Sequence, residues 1–170
     1  TNIAGMSQEN PWQASYTFEE PSEEWFATGF DDSSWKRGKG AFGTSEDMSV
    51  GTLWENKDIW VRRTIELTPG QISGLLYLKY VHDDLVDIYI NGRQVVRQGF
   101  EHRREMVIPI PEDVLQAAPD GKIVIAAHCD NTGGFALLDF GIYSAPSAKE
   151  NFANHAIQKS VDVQATRTDY

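Results

Sequence analysis

The sequence predicts an all-β protein, an antiparallel β-sandwich with one short helical turn, and two observations carry that prediction. Within the stretch 77–92, which reads as two strands closed by an Asn-Gly turn, polar side chains from Asp87 onward alternate with apolar ones from Val86 onward. Elsewhere, short β-branched and aromatic segments follow one another with a single helical turn among them. That pattern favours an antiparallel sandwich over an alternating α/β sheet.

Each strand is predicted from the same short period-2 signal. The strands are expected at 13–18, 58–67, 75–81, 85–90, 94–97, 105–110, 122–128 and 135–143. Between the first two, the segment 19–43 has no sustained period but is rich in aromatic residues, so we expect an ordered loop that packs over the sandwich edge. Pro111 with acidic residues after it predicts one or two helical turns at 112–118.

Size and charge bound the possible functions. The chain has 170 residues, 41% of them hydrophobic, which is enough material for one domain with a substantial core. Its formal net charge of −10 disfavours nucleic acid and anionic membrane as partners, because both bind clustered Lys and Arg. The single cysteine, Cys129, is expected to be a small buried side chain, not a reactive thiol.

The organisation along the chain predicts one complete module and a tail. Residues 1–146 form the module, whereas 147–170 read as a linker and a strand through Val161 and Val163. We expect that strand to open a truncated following domain. Because the chain begins at Thr1 and not at Met, any targeting segment is expected to lie outside it.

An ordered series of motifs carries a family resemblance. The motifs lie at 30–38, 41–43, 52–54, 58–63 and in the hairpin at 83–92. Together they resemble the galactose-binding-like jelly-roll domain that serves as the non-catalytic, amino-terminal sugar-binding module of glycoside hydrolase family 2 enzymes. The resemblance covers Trp12 to Tyr143 and implies a jelly-roll sandwich.

A second set of segments is similar to bacterial glutaminase A family proteins. They lie at 58–63, 79–84, 126–128, 139–141 and 156–166. In that family a module of this kind precedes a β-rich domain and a helical toroid. The resemblance implies a periplasmic or extracellular parent hydrolase, catalytic carboxylates in the absent helical part, and other domains of the same polypeptide as partners.

Asp83 and Asp84, beside His82, leave several interpretations open. They fit a general acid–base pair, calcium ligands, or side chains that hydrogen-bond to backbone amides where one strand turns into the next, and we favour the last. Adjacent residues at a strand end are not placed to face each other across a glycoside. The histidines lack metal-ligand spacing, so no zinc site is predicted; a structural calcium is possible but not assigned, and no other cofactor is expected.

The five Trp residues suggest, without specifying, an aromatic platform for a saccharide. Trp54 lies in a polar loop and is expected to be the exposed one. If a saccharide binds, Asp83, Asp84 and His102 are its expected hydrogen-bonding neighbours.

Arg62 and Arg63 alternate in facing on an apolar strand, so one of them is expected to be buried and to need a carboxylate. Asp139 is the expected partner in a structural ion pair.

Three functions therefore remain open. The first is a non-catalytic accessory module of an exported hydrolase that packs against neighbouring domains, possibly with a saccharide as a further partner. The second is an autonomous carbohydrate-binding module, and the third is a small free-standing enzyme that uses Asp83 or Asp84.

Overall fold

Twelve strands and three short helical segments make up the part of the chain that the computed structural model describes, residues 1–45, 49–72, 74–100 and 104–145. The strands are β1 (Asn2–Ala4), β2 (Gln13–Thr17), β3 (Lys36–Lys39), β4 (Phe42–Gly43), β5 (Thr52–Leu53), β6 (Asp58–Glu66), β7 (Leu76–Asp83), β8 (Leu85–Ile90), β9 (Arg93–Gln98), β10 (Met106–Pro109), β11 (Lys122–Asp130) and β12 (Leu137–Ser144). The helices are α1 (Pro69–Ile72), α2 (Glu112–Gln116) and a 3-10 turn at Pro119–Gly121.

These strands form two six-stranded sheets, which confirms the predicted β-sandwich. Sheet A has the order β10-β7-β12-β4-β5, with β1 also paired to β12. Sheet B has the order β3-β2-β6-β11-β8-β9. All pairs are antiparallel except β4 with β5. The boundary that we predict at 146, the tail 147–170 and His102 lie outside the described residues.

The strands at 77–83 and 85–90 do not pair with each other, which corrects the simplest interpretation of that stretch. β7 belongs to sheet A and β8 to sheet B, so the chain crosses between the layers at Asp84. The Asn-Gly turn joins β8 to β9 instead, with positive φ angles of 50° at Asn91 and 81° at Gly92. The turn chemistry was predicted correctly, but periodicity alone cannot say which strand is the partner.

The main core lies between the two sheets, because most inward positions of the long strands are apolar. It is formed by Ile59, Val61, Leu76, Leu78, Val86, Ile88, Ile123, Ile125, Leu138, Phe140 and Ile142, among others. Cys129 is buried with them, as predicted, and burial raises the pKa of its thiol well above the usual range.

A segment at the start of the chain covers part of the outer face of sheet A. β1 pairs with β12, and the backbone of Gly5 then passes directly over Gly141. A Cβ atom at Gly141 would lie 2.4 Å from the carbonyl carbon of Gly5, so only glycine permits this approach. We call residues 1–10 the strap; no strand was predicted there.

The aromatic loop packs against the outward face of sheet B, whereas the sequence predicted packing over the sandwich edge. Trp25, Phe26, Phe30 and Trp35, which we call the aromatic cover, form a second hydrophobic cluster with Trp60, Ala126 and Tyr89. The Phe26 and Tyr89 rings stack with their centroids 4.2 Å apart. The cover therefore shields the part of the outward face of sheet B around Trp60, Ala126 and Tyr89. Neither α-helix in the described part of the chain has the length and apolarity that a membrane crossing requires.

Candidate functional site

Trp54, the residue expected to be exposed, is completely buried, and that prediction is wrong. Its accessible fraction is 0%, whereas that of the preceding Leu53 is 56%. The reason is local: β5 pairs with β4 and the Trp54 amide donates to the Gly43 carbonyl at 2.8 Å, so the strand alternation continues and turns the indole into the core. No face of Trp54 is open to a pyranose.

Asp84 serves a structural role, as we favoured from the sequence. One of its carboxylate oxygens accepts hydrogen bonds from the backbone amide and the hydroxyl of Thr132, both at 2.7 Å. Burial opposes ionisation, but these hydrogen bonds outweigh it and hold the pKa of Asp84 below its usual value. Asp83 beside it is buried. The corner between β7 and β8 is thus fastened to the turn that precedes β12.

Both Arg62 and Arg63 are buried, one on each side of sheet B, whereas the sequence predicted one. Arg62 points outward beneath the aromatic cover. It donates to the carbonyl oxygens of Trp25 at 2.6 Å and Ala27 at 2.9 Å, and its Nε lies 3.0 Å from the Asp32 carboxylate. The partner of Arg62 is therefore Asp32, 30 residues earlier in the chain.

Arg63 points into the sandwich, where carbonyl oxygens satisfy it. It donates to Phe140 at 2.6 Å and to Gly5 at 3.1 Å, and it lies 4.4 Å from the Trp12 ring centre. Burial lowers the pKa of Arg63 to about 10, and the charge of Asp139 partly offsets that effect.

Asp139 does not form the predicted ion pair with either arginine. Leu138 and Phe140 occupy the inward positions of β12, so Asp139 faces the strap instead. Its carboxylate accepts from the Ser7 amide at 3.0 Å, the Ser7 hydroxyl at 2.6 Å and the Trp12 indole at 3.0 Å. Burial raises the pKa of Asp139, and these hydrogen bonds act against the rise. Arg63 and Asp139 both stabilise the strap, through separate contacts.

Beside the aromatic cover, the outward face of sheet B carries a row of polar side chains. Strand register aligns His128, Asp87 and Arg97 across three strands, next to the buried Trp60 on β6. The His128 ring stacks on Trp60 at 4.5 Å, and its Nε2 lies 2.7 Å from the Asp58 carboxylate. Beside the row is a cavity of about 280 Å³, which we call the polar groove.

The charges of the polar groove pair with one another. Asp87 accepts from Gln94 at 2.9 Å and lies 3.8 Å from Arg97. Asp130 pairs with Lys57 at 2.9 Å. Nucleophilic catalysis would need a hydroxyl or thiol next to His128, and the hydrogen bonds of the described residues bring none there. Across residues 1–45, 49–72, 74–100 and 104–145, no three His, Cys, Asp or Glu side chains converge as metal ligands do. The groove is a polar surface whose acidic side chains lie next to basic or amide partners.

A second cavity, of about 340 Å³, opens where β2 ends and β3 begins. Its walls are the half-buried rings of Tyr16, Phe18 and Trp35, and its rim carries Lys36 and Asn56. The Lys36 ammonium lies 5.7 Å from the centre of the Phe18 ring. We call this cavity the aromatic groove. The sequence predicted only an ordered aromatic loop at 19–43 and not this groove, because Phe18 and Trp35 are far apart in the chain.

The sequence matches no protein-family model and no curated protein. Its fold is similar to that of several solved glycosidase structures. A glycosyl hydrolase family 2 member from Bacteroides cellulosilyticus DSM 14838 superimposes with a TM-score of 0.57 at 12% sequence identity, over 78% of this chain and 20% of that chain.

Two further structures show the same likeness. A β-glycosidase from Bacteroides vulgatus has a TM-score of 0.53 at 15% identity, over 85% of this chain and 20% of that one. A Bacteroides uniformis β-glucuronidase has a TM-score of 0.53 at 15% identity, over 77% of this chain and 18% of that one. The chain thus spans about a fifth of the length of these structures, and it has the β-sandwich fold of one part of them.

Proposed function

We propose that this chain is a non-catalytic accessory β-sandwich module of a multidomain hydrolase. The observation that carries the proposal is the fold likeness to a fifth of the length of family 2 glycoside hydrolase chains. The described residues add support, since the carboxylates of Asp84 and of the buried Asp139 accept hydrogen bonds from hydroxyl, amide or indole groups of the fold. Glycoside cleavage needs two carboxyl groups on either side of the substrate, roughly 5–9.5 Å apart. Asp84 and Asp139 are instead committed to holding the fold together.

The nature of the parent hydrolase is a finer part of the same proposal. The sequence segments described above support a glutaminase A-like enzyme of the periplasm or extracellular space, whereas the fold likeness supports a glycosidase. In either case the partners of this module are other domains of the same polypeptide. Its role is to pack against them and hold them in position.

Three proteins test the proposal: the 170-residue chain, the full-length protein that the gene encodes, and that protein without residues 1–145. Each is assayed with L-glutamine and with a panel of p-nitrophenyl glycosides. We expect no turnover by the 170-residue chain, turnover of one substrate class by the full-length protein, and a lower melting temperature after the deletion. Turnover by the 170-residue chain that Asp83→Asn or Asp84→Asn abolishes would overturn the proposal and establish a free-standing enzyme.

Saccharide binding is the second candidate, and the aromatic groove is the observation that favours it. Half-exposed rings present apolar faces to the C–H groups of a pyranose, while Lys36 and Asn56 offer hydrogen bonds to its hydroxyls. Calorimetric titration with mono- and oligosaccharides tests this candidate. We expect saturable binding that Trp35→Ala removes and that Phe100→Ala, at an aromatic ring 72% exposed elsewhere, leaves intact. A flat titration for every saccharide eliminates it.

A further inference from the structure

The end of β12 is held on both sides, so the chain leaves the sandwich at a fixed place. The Ser144 amide donates to the Thr1 carbonyl at 2.8 Å, and the Thr1 ammonium donates to the Ser144 carbonyl at 3.1 Å. On the opposite flank the Ala145 amide donates to the Leu75 carbonyl at 2.9 Å. Residues 146–170 continue from this anchored point.

An open surface of mixed polarity surrounds that point. It is a cavity of about 420 Å³, and we call its apolar residues the exit surface: Ile3, Gly70, Gly74, Leu75 and Ala145. The rest of its lining is polar: Thr1, Asn2, Thr68, Gln71 and Ser144. Leu75 is 55% exposed. A Cβ atom at Gly70 would meet nothing within 4 Å, so another backbone or side chain has room to approach there. The exit surface thus offers a protruding leucine next to an accessible backbone.

Beyond α1 the surface becomes acidic. A larger cavity, of about 640 Å³, has Leu67 and Ile72 on one wall and Glu112, Gln116 and Asp120 on the other. A face with this composition is complementary to an apolar pocket bordered by Lys or Arg.

We infer that the exit surface docks the domain that follows Ala145 in the same polypeptide, with Leu75 inserted into that domain and the carboxylates of Glu112 and Asp120 facing basic side chains. This inference rests on the proposed function. The occupant follows from the continuity of the chain. A domain joined to the anchored end of β12 stays close to Leu75, and such tethering gives effective concentrations of the order of millimolar. A small surface is then sufficient for docking. The glycosidase chains of similar fold extend well beyond the region that this chain covers.

Hydrogen exchange in the full-length protein and in the 170-residue chain tests the inference. We expect the amides of Gly74 and Leu75 to exchange at least tenfold more slowly in the full-length protein, because docking covers them. The amides of β9, at the far edge of sheet B, should exchange at equal rates in both.

A matched pair of variants separates docking from general effects. Leu75→Asp in the full-length protein should restore the exchange rates of the 170-residue chain at Gly74. Val107→Asp, at a position 53% exposed on β10, should leave them slow. In the 170-residue chain neither variant should move the urea midpoint, since both positions are exposed.

Two failures are distinguishable. If a larger protein exists but the amides of Gly74 and Leu75 exchange equally fast in both forms, the docking inference is wrong and the accessory role stands. The same holds if Val107→Asp raises these exchange rates as much as Leu75→Asp does. If the encoded protein has no domain beyond this one, the proposed function itself is wrong.

Discussion

Arg62 holds the aromatic cover on sheet B, and replacing it should be among the most damaging single changes in the protein. The guanidinium makes hydrogen bonds to two carbonyl oxygens and an ion pair with Asp32, and it lies 5.3 Å from the Phe30 ring centre. Arg62→Met keeps the length of the side chain but removes these polar contacts. The carbonyls of Trp25 and Ala27 then lose their donor under the cover.

The size of the effect follows from the burial of the two partners. Removing one member of a buried ion pair costs roughly 3–5 kcal/mol. Asp32 is 31% exposed and regains water when its partner leaves, so we expect a loss near the lower end, about 3 kcal/mol. For a domain of this size that loss corresponds to a fall in melting temperature of about 6–12 °C.

Urea unfolding followed by far-UV circular dichroism measures the free energy, and hydrogen exchange of the segment 22–35 reports on the cover itself. Asp32→Asn should cost only about 1 kcal/mol, because Arg62 retains both carbonyls. Thr64→Met, at an exposed outward position of the same strand, serves as the control and should stay within ~0.5 kcal/mol of the parent. A loss below 1 kcal/mol for Arg62→Met, or an equal loss for Asp32→Asn, would refute the reasoning.

Three further predictions concern stability. Trp54→Ala should destabilise the protein by roughly 3–5 kcal/mol and Leu53→Ala by less than ~0.5 kcal/mol, and similar urea midpoints for the two would contradict the burial of Trp54. Asn91→Ala should lower the free energy of unfolding by about 2 kcal/mol, because it removes the hydrogen bonds to the Val114 carbonyl and the Val124 amide and places alanine at positive φ. A loss below about 0.5 kcal/mol would contradict this prediction. Because the folded-state pKa of Asp84 lies below its usual value, the contribution of Asp84 to stability is present above about pH 4 and disappears as the pH falls through the folded pKa. Asp84→Asn should therefore reduce the slope with which the free energy of unfolding falls at acid pH. An unchanged slope would exclude the effect.

Much of sheet architecture could be predicted because the long strands carry a clear period. The strand at Leu85–Ile90 was predicted to the residue, and β6, β11 and β12 within a few residues. Most of their inward positions are apolar, which is the signal that period-2 analysis detects. Some outward positions of β6 and β11, such as Trp60 and Ala126, are apolar as well, because the aromatic cover packs on them. The pairing of those strands was less accessible, since β7 and β8 give the same pattern whether they share a sheet or not.

The short strands escaped prediction for a different reason. β3 is Lys-Arg-Gly-Lys at the edge of sheet B, and β4 and β5 have two residues each. None of the three therefore shows the alternation of apolar and polar residues that identifies a strand. Charged edge strands are common because they discourage pairing with other chains. Missing β5 led directly to the error at Trp54, whose polar neighbours suggested a loop although strand pairing turns it inward.

The sequence predicted that a buried arginine would need polar partners, but it did not predict which residues those partners are. Buried arginines were expected to need compensation, which is general electrostatics. Asp32, however, comes from the aromatic loop, the Gly5 carbonyl from the strap and the Phe140 carbonyl from β12. No sequence pattern marks these contacts, since they depend on how irregular segments fold over the sheets. The aromatic groove is of the same kind, since its rings come from separate segments.

Thr1 and Ser144 lie side by side, joined by reciprocal backbone hydrogen bonds, so a polypeptide that runs through this sandwich enters and leaves it at one spot. Because its ends are adjacent, the domain could be inserted into a surface loop of another protein. The insertion would separate two neighbouring residues of the host by only a few ångströms. The same proximity favours a circular permutant in which a short linker bridges these ends.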